Sequence, residues 1–172
     1  MGGKRDFIQN MGGIDLKKIT PLLIGLVLLL VACGSGELDS FVEDFNQSAR
    51  KYDATKLKEN EFGEVETEDG EDWRNLFESK EYLINLMYDK KNIAGYYIKV
   101  ESDETSIDKT GKGYNAVLTL ADSLDLNISD LEKGMQAAFD DNFHDYEDGD
   151  YEVRISVINI TSAWLSIMIE KK

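Results

Sequence analysis

Four features of the 172-residue sequence carry side chains with chemical potential. Cys33 is the only cysteine, so it has no partner in the chain for a disulfide and no second thiolate with which to hold zinc. His144 is the only histidine, which excludes a histidine-rich metal site and leaves one imidazole as a candidate base. Gly111-Lys112 has the ending of a phosphate-binding loop. Ser106 stands where that motif needs its first glycine, however, and Gly113 stands where it needs a hydroxyl for magnesium. The acidic run 140–150 invites a calcium reading. With Gly149 as the turn glycine, the first and third ligand positions fall on His144 and Tyr146, which breaks the pattern, and a solvated loop is expected instead. The nucleophile-elbow pattern Gly-x-Ser-x-Gly and the zinc pattern His-Glu-x-x-His do not occur. These residue types predict no catalytic site, no cofactor and no metal site.

The surroundings of Cys33 are more informative than its thiol. Leu22–Ala32 is an apolar run of 11 residues ending at that cysteine. A membrane-crossing helix needs about 20 such residues. A short run behind Lys17-Lys18 fits the charged front and apolar centre of a secretory signal, and Met11 offers a second start that keeps that front intact. Leu30-Val31-Ala32-Cys33 resembles the lipobox of bacterial membrane lipoprotein precursors. The resemblance covers the first 36 residues only. It implies cleavage between Ala32 and Cys33, a diacylglyceryl group on the Cys33 sulfur, and an anchor on the extracytoplasmic face of the cell membrane. Two acyl chains give the stable anchoring that a single chain does not. The expected organisation is a signal peptide over 1–32, a lipidated Cys33 with a flexible tether over 33–36, and one domain over 37–172. The Lys-, Glu- and Asn-rich, Pro-poor composition leans towards a Gram-positive source.

Charge restricts the partners of that domain. Residues 1–33 carry Lys4, Arg5, Lys17 and Lys18 against Asp6 and Asp15, so of the chain's net −15 the remainder carries −17. Such a domain has no means of neutralising phosphates, which excludes nucleic acid as a partner. It is also repelled by an anionic lipid surface.

The elements that must position any site follow from periodicity. Leu38, Phe41, Val42, Phe45, Ala49 and Tyr52 fall on one face of a helix over Glu37–Tyr52, with an acidic opposite face better suited to packing on a sheet than to lying on a membrane. Asp69-Gly70 signals a hairpin over 62–78. Alternation over Tyr82–Tyr88 and Ala94–Val100 predicts a second hairpin over 82–100, with large apolar residues on both faces of its first strand. Tyr114, Ala116, Leu118 and Leu120 alternate as a further strand, although 114–126 also admits a helical reading. Ser129 and Glu132 have capping-box spacing before a helix carrying Leu131, Met135, Ala138, Phe139 and Phe143. A closing hairpin spans 151–170. The prediction is an α+β domain, an antiparallel sheet of about six strands packed against two amphipathic helices.

A non-catalytic binding module at the cell envelope, held to the membrane through lipid on Cys33 and meeting a protein or envelope partner, is the main functional expectation. Abundant carboxylates leave an alternative, an envelope-acting enzyme using an acid–base pair. Two further alternatives are an accessory or exclusion lipoprotein of a phage or mobile element, and a signal segment that yields a short apolar pheromone from Gly25–Ala32.

Overall fold

Strands whose alternate residues are all large and apolar must bury one face, and that requirement organises the domain. The computed structural model describes residues 35–172. The apolar run 22–32 expected as a signal, Cys33 and Gly34 lie outside the described residues. The elements in order are α1 (Ser35–Tyr52), β1 (Val65–Glu68), β2 (Glu71–Glu78), β3 (Tyr82–Asp89), β4 (Asn92–Ser102), α2 (Lys112–Ser123), α3 (Ile128–Asp141), β5 (Phe143–Asp148), β6 (Tyr151–Asn159) and β7 (Ala163–Lys171), with a short 3-10 turn at Glu59–Glu61. The strands form one open sheet of seven in the order β1-β2-β3-β4-β7-β6-β5. Every neighbouring pair is antiparallel.

One face of this sheet is the core. Ile84 and Leu86 of β3, Ile98 and Val100 of β4, Leu165, Ile167 and Ile169 of β7, and Val153, Ile155 and Val157 of β6 are all buried. All three helices cover that face. Phe41 of α1 packs its ring 4.7 Å from the ring of Tyr96. Gly113 sets α2 flush on β4, because a Cβ there would lie 2.4 Å from Val100 Cγ1. Gly134 brings α3 close to the sheet less tightly, since a Cβ there would lie 3.0, 3.1 and 3.2 Å from Ile155, His144 and Tyr146. The α+β class, the antiparallel sheet and the hairpins at 62–78, 82–100 and 151–170 are as expected. The first hairpin turns through Asp69 and Gly70, both at positive φ (53° and 91°), as a tight two-residue turn requires.

Several expectations need correction. The sheet has seven strands, and the helices among the described residues number three. Residues 114–126, left open between strand and helix, resolve as helix: α2 takes them up to Ser123. Tyr114, Val117 and Ala121 join Ala116 and Leu120 in the core, a three-and-four spacing that the coincidental alternation had masked. The solvated loop expected over 140–150 contains β5, whose edge position tolerates the acidic residues that hid its alternation. Phe143, expected on a helix face, begins this strand. The cap of α3 is Asn127, whose side chain accepts from the amides of Ser129 and Asp130, so the Ser129–Glu132 box is not used. At the other end, Ser35 and Gly36, expected in the tether, belong to the first turn of α1.

A polar clasp joins α1 to α2. The Ser48 hydroxyl, the Lys51 ammonium and the Tyr52 hydroxyl donate to the Asp122 carboxylate at 2.8, 2.7 and 3.3 Å. Burial pushes the Asp122 carboxyl up, but the three donors outweigh it and hold the group below its ordinary range. A depressed folded value stabilises the domain above the unfolded carboxylate range, about pH 4. That contribution is lost as pH falls through the lower folded value. Asp122→Asn is therefore expected to cost about 1–3 kcal/mol at pH 7 and nothing once the pH is below both values. Urea melts at the two pH values check this, and an equal loss at both would remove charge from the account. Leu165, fully buried at the centre of the sheet, gives the core its own test. Leu165→Ala should cost about 2–5 kcal/mol in the same melts, while Glu43→Gln on the exposed side of α1 stays within about 0.5 kcal/mol.

Candidate functional site

The residues first considered for chemistry do not come together. Cys33 lies outside the described residues. His144 is not on a solvated loop. It sits on β5 facing α3, its ring centroid 6.0 Å from that of Tyr146. Gly111 caps α2 through its backbone, with its carbonyl accepting from the Asn115 amide, and no side chain completes the cap. Asp108 is occupied locally, since the amide and the hydroxyl of Thr110 both donate to it and hold its carboxyl low. Within the acidic segment 140–150, Asp145 and Glu147 share the exposed face of β5 and Asp148 lies on the other. Among the described residues, no three His, Cys, Asp or Glu side chains are placed to hold a metal ion. No described helix is long and apolar enough to cross a membrane.

The prominent feature is the second face of the sheet, which no described helix covers. Strand register defines its rows. Trp73, Met87 and Gly95 lie side by side across β2, β3 and β4. Asn75, Asn85, Tyr97, Met168 and Arg154 form the next row, from β2 to β6. Leu83, Lys99, Ser166, Ser156 and Phe143 form a third. Trp164 closes the face between Glu101 and Ile158.

Cross-strand contacts make this face firm. Trp73 meets Tyr97 edge-on at 6.1 Å between ring centroids. The Asn75 amide donates to Asn85 at 2.9 Å, and the Tyr97 hydroxyl donates to Ser166 at 3.2 Å. The two cations on the face are both engaged. Lys99 pairs with Glu101 while its ammonium stands 4.3 Å over the Trp164 ring, and Arg154 pairs with Glu152 and Glu170.

One corner of the face is different in kind. Phe143 (50% exposed), Ile158 (53%), Ile160 (82%) and Trp164 (42%) account for four of the five most exposed large apolar side chains among the described residues. Ile158 and Trp164 are directly opposed across β6 and β7, and Ile160 sits in the turn joining those strands. Phe143 pairs with Ser156, which places it diagonally beside Ile158, a separation of about 7–8 Å in an antiparallel sheet. Solvated apolar side chains scattered singly are ordinary, but contiguous ones mark a surface built to be covered. The arrangement offers a flat docking surface with an apolar centre and a polar surround, the anatomy of a protein interface.

No catalytic motif marks this face in the sequence. Its signal was present in β3, where large apolar residues on both faces exceed what one layer of helices can cover. No protein-family model matches the chain, and no curated protein or solved structure matches it.

Both tryptophans lie on this face, so their emission reports on it. Acrylamide should quench the Trp73→Phe variant, which keeps Trp164, more strongly than the Trp164→Phe variant, which keeps the half-buried Trp73. Equal quenching of the two would mean that the Trp164 corner is already covered.

Proposed function

We propose that the chain is a lipid-anchored, extracytoplasmic binding module that works through the uncovered sheet face and does no chemistry of its own. The observation that carries the binding role is the contiguous corner of Phe143, Ile158, Ile160 and Trp164 on a face that hydrogen bonds and ion pairs already hold in place. A surface of that kind binds without rearranging first, so little of the association energy is lost in ordering it. The anchor rests on the resemblance of Leu30-Val31-Ala32-Cys33 to a lipobox. Under this reading the −17 that follows Cys33 keeps the domain from lying flat on an anionic bilayer and leaves its sheet face accessible to a partner. The envelope-enzyme alternative would need a free pair of carboxylates converging in a pocket; of the five acidic residues lining the depression beside α2, Glu101, Asp103 and Asp108 are already engaged by Lys99, Lys80 and Thr110, which favours the binding reading. The accessory-lipoprotein alternative is a special case of the same binding role.

Metabolic labelling with a fatty acid tests the anchor. The parent chain should take up label and partition with membranes, and Cys33→Ala should lose both properties. Labelled Cys33→Ala protein would remove the lipoprotein reading. A photo-crosslinker placed at position 164 tests the binding face in the same cells. It is expected to give a defined adduct that the same group at position 43, on the exposed side of α1, does not give.

A further inference from the structure

The partner's chemistry can be read from what surrounds the apolar corner. Trp164 belongs to two surfaces at once. On one side it adjoins Ile158, Ile160 and Phe143, and on the other it lines an open depression of about 600 Å³ beside the N-terminal end of α2. Five carboxylates line that depression, those of Glu81, Glu101, Asp103, Glu104 and Asp108. Its two cations, Lys80 and Lys112, do not balance them, and Lys80 is already held by Asp103 at 2.9 Å. Along β5, the exposed Asp145 follows Phe143 on the same face and has no ion-pair partner among the described residues. Glu104 likewise has none, and its backbone carbonyl, which accepts from the Ala163 amide, fixes it beside Trp164. Across the whole open face, Lys99 and Arg154 stand against Glu66, Glu68, Glu71, Glu101, Asp145, Glu147, Glu152 and Glu170.

We infer that the Phe143–Ile158–Ile160–Trp164 corner is the docking site for a basic segment of a partner protein that carries a large apolar side chain next to a Lys or Arg. The inference rests on the binding role proposed above and adds the class of partner. The apolar side chain covers Ile158, Ile160 and Phe143, removing the exposed patch from water. The neighbouring cation enters the carboxylate-lined depression across the Trp164 ring, repeating in trans the geometry that Lys99 adopts in cis. Charge separates this occupant from the others. A second copy would bring the same carboxylates against themselves, and an anionic bilayer would meet the same repulsion.

The test is calorimetric titration of the full chain with a short synthetic peptide of alternating Lys and Leu, against a matched peptide of alternating Glu and Leu. The Lys–Leu peptide is expected to bind at least about tenfold more tightly than its acidic counterpart. Trp164→Ala and Ile160→Ser should each weaken it by about tenfold or more. Ile160 lies in a turn and is 82% exposed, so its replacement leaves folding intact. Glu104→Gln combined with Asp145→Asn should weaken binding and flatten its salt dependence, and Glu43→Gln should change nothing. Equal affinity for the two peptides, or affinity indifferent to Ile160→Ser, overturns the inference. So does Ile160-dependent binding to anionic phospholipid vesicles, a dimer that Ile160→Ser disperses, or a crosslink from position 158 to residues 22–32. If position 164 still yields its specific adduct in cells while the Lys–Leu peptide fails to bind, the partner class falls and the binding role stands.

Discussion

One-sided burial of the central strands is the constraint from which the rest of the domain follows. Ile84, Leu86, Ile98, Val100, Leu165, Ile167 and Ile169 must leave water together, because they sit in register on one face of β3, β4 and β7. Burying each such side chain contributes about 1.5–3 kcal/mol, and the described chain has no disulfide to supplement it. The pairing that completes this face is non-local. β4 meets β7 across the 60 residues that hold both α2 and α3, so the two halves of the sheet close only when those helices dock. The close approach of Gly113 to Val100 and of Gly134 to Ile155 lets both helices lie low enough to seal the core.

Committing all three described helices to one face leaves the other without helical cover among the described residues. The composition of that second face is a compromise between hydration and packing. Asn75, Asn85, Ser156 and Ser166 keep it hydrated, while Trp73, Met87, Tyr97 and Met168 pack across strands and stiffen it. Its cations are spent within the face, Lys99 on Glu101 and Arg154 on Glu152 and Glu170, so the field it projects is that of the remaining carboxylates. Surface pairs of this sort contribute little to stability. Their consequence here is directional, since they fix side chains around Trp164 and leave the negative charge outward. The acidic β5 edge acts in the same sense, its Asp145 and Glu147 opposing the edge-to-edge association that an unpaired strand otherwise invites.

The sequence by itself determined whatever is local. The helix over Glu37–Tyr52 and the hairpins at 62–78, 82–100 and 151–170 were legible because their periodicity and turn residues are contained within a few consecutive positions. The lipobox resemblance at Leu30–Cys33 and the charge asymmetry about Cys33 were legible on the same ground. Ambiguous local patterns left one element open between strand and helix and hid another. α2 alternates as a strand would at Tyr114, Ala116, Leu118 and Leu120, and only its packing between α1 and β4 selects the helix. β5 reads as a charged loop, and only pairing with β6 makes it a strand.

The candidate site belongs to what tertiary structure decided. Phe143, Ile158, Ile160 and Trp164 come from three strands and a turn, and nothing in the spacing of 143 from 164 says that they adjoin. Their exposure was equally unreadable, because each strand alternates in the same way whichever face the helices choose. The choice is made by where α1, α2 and α3 can seat their own apolar stripes, an interaction between distant segments. Once it is made, every second residue of β6 and β7 faces outward, and the corner beside Glu101 and Glu104 exists as a surface.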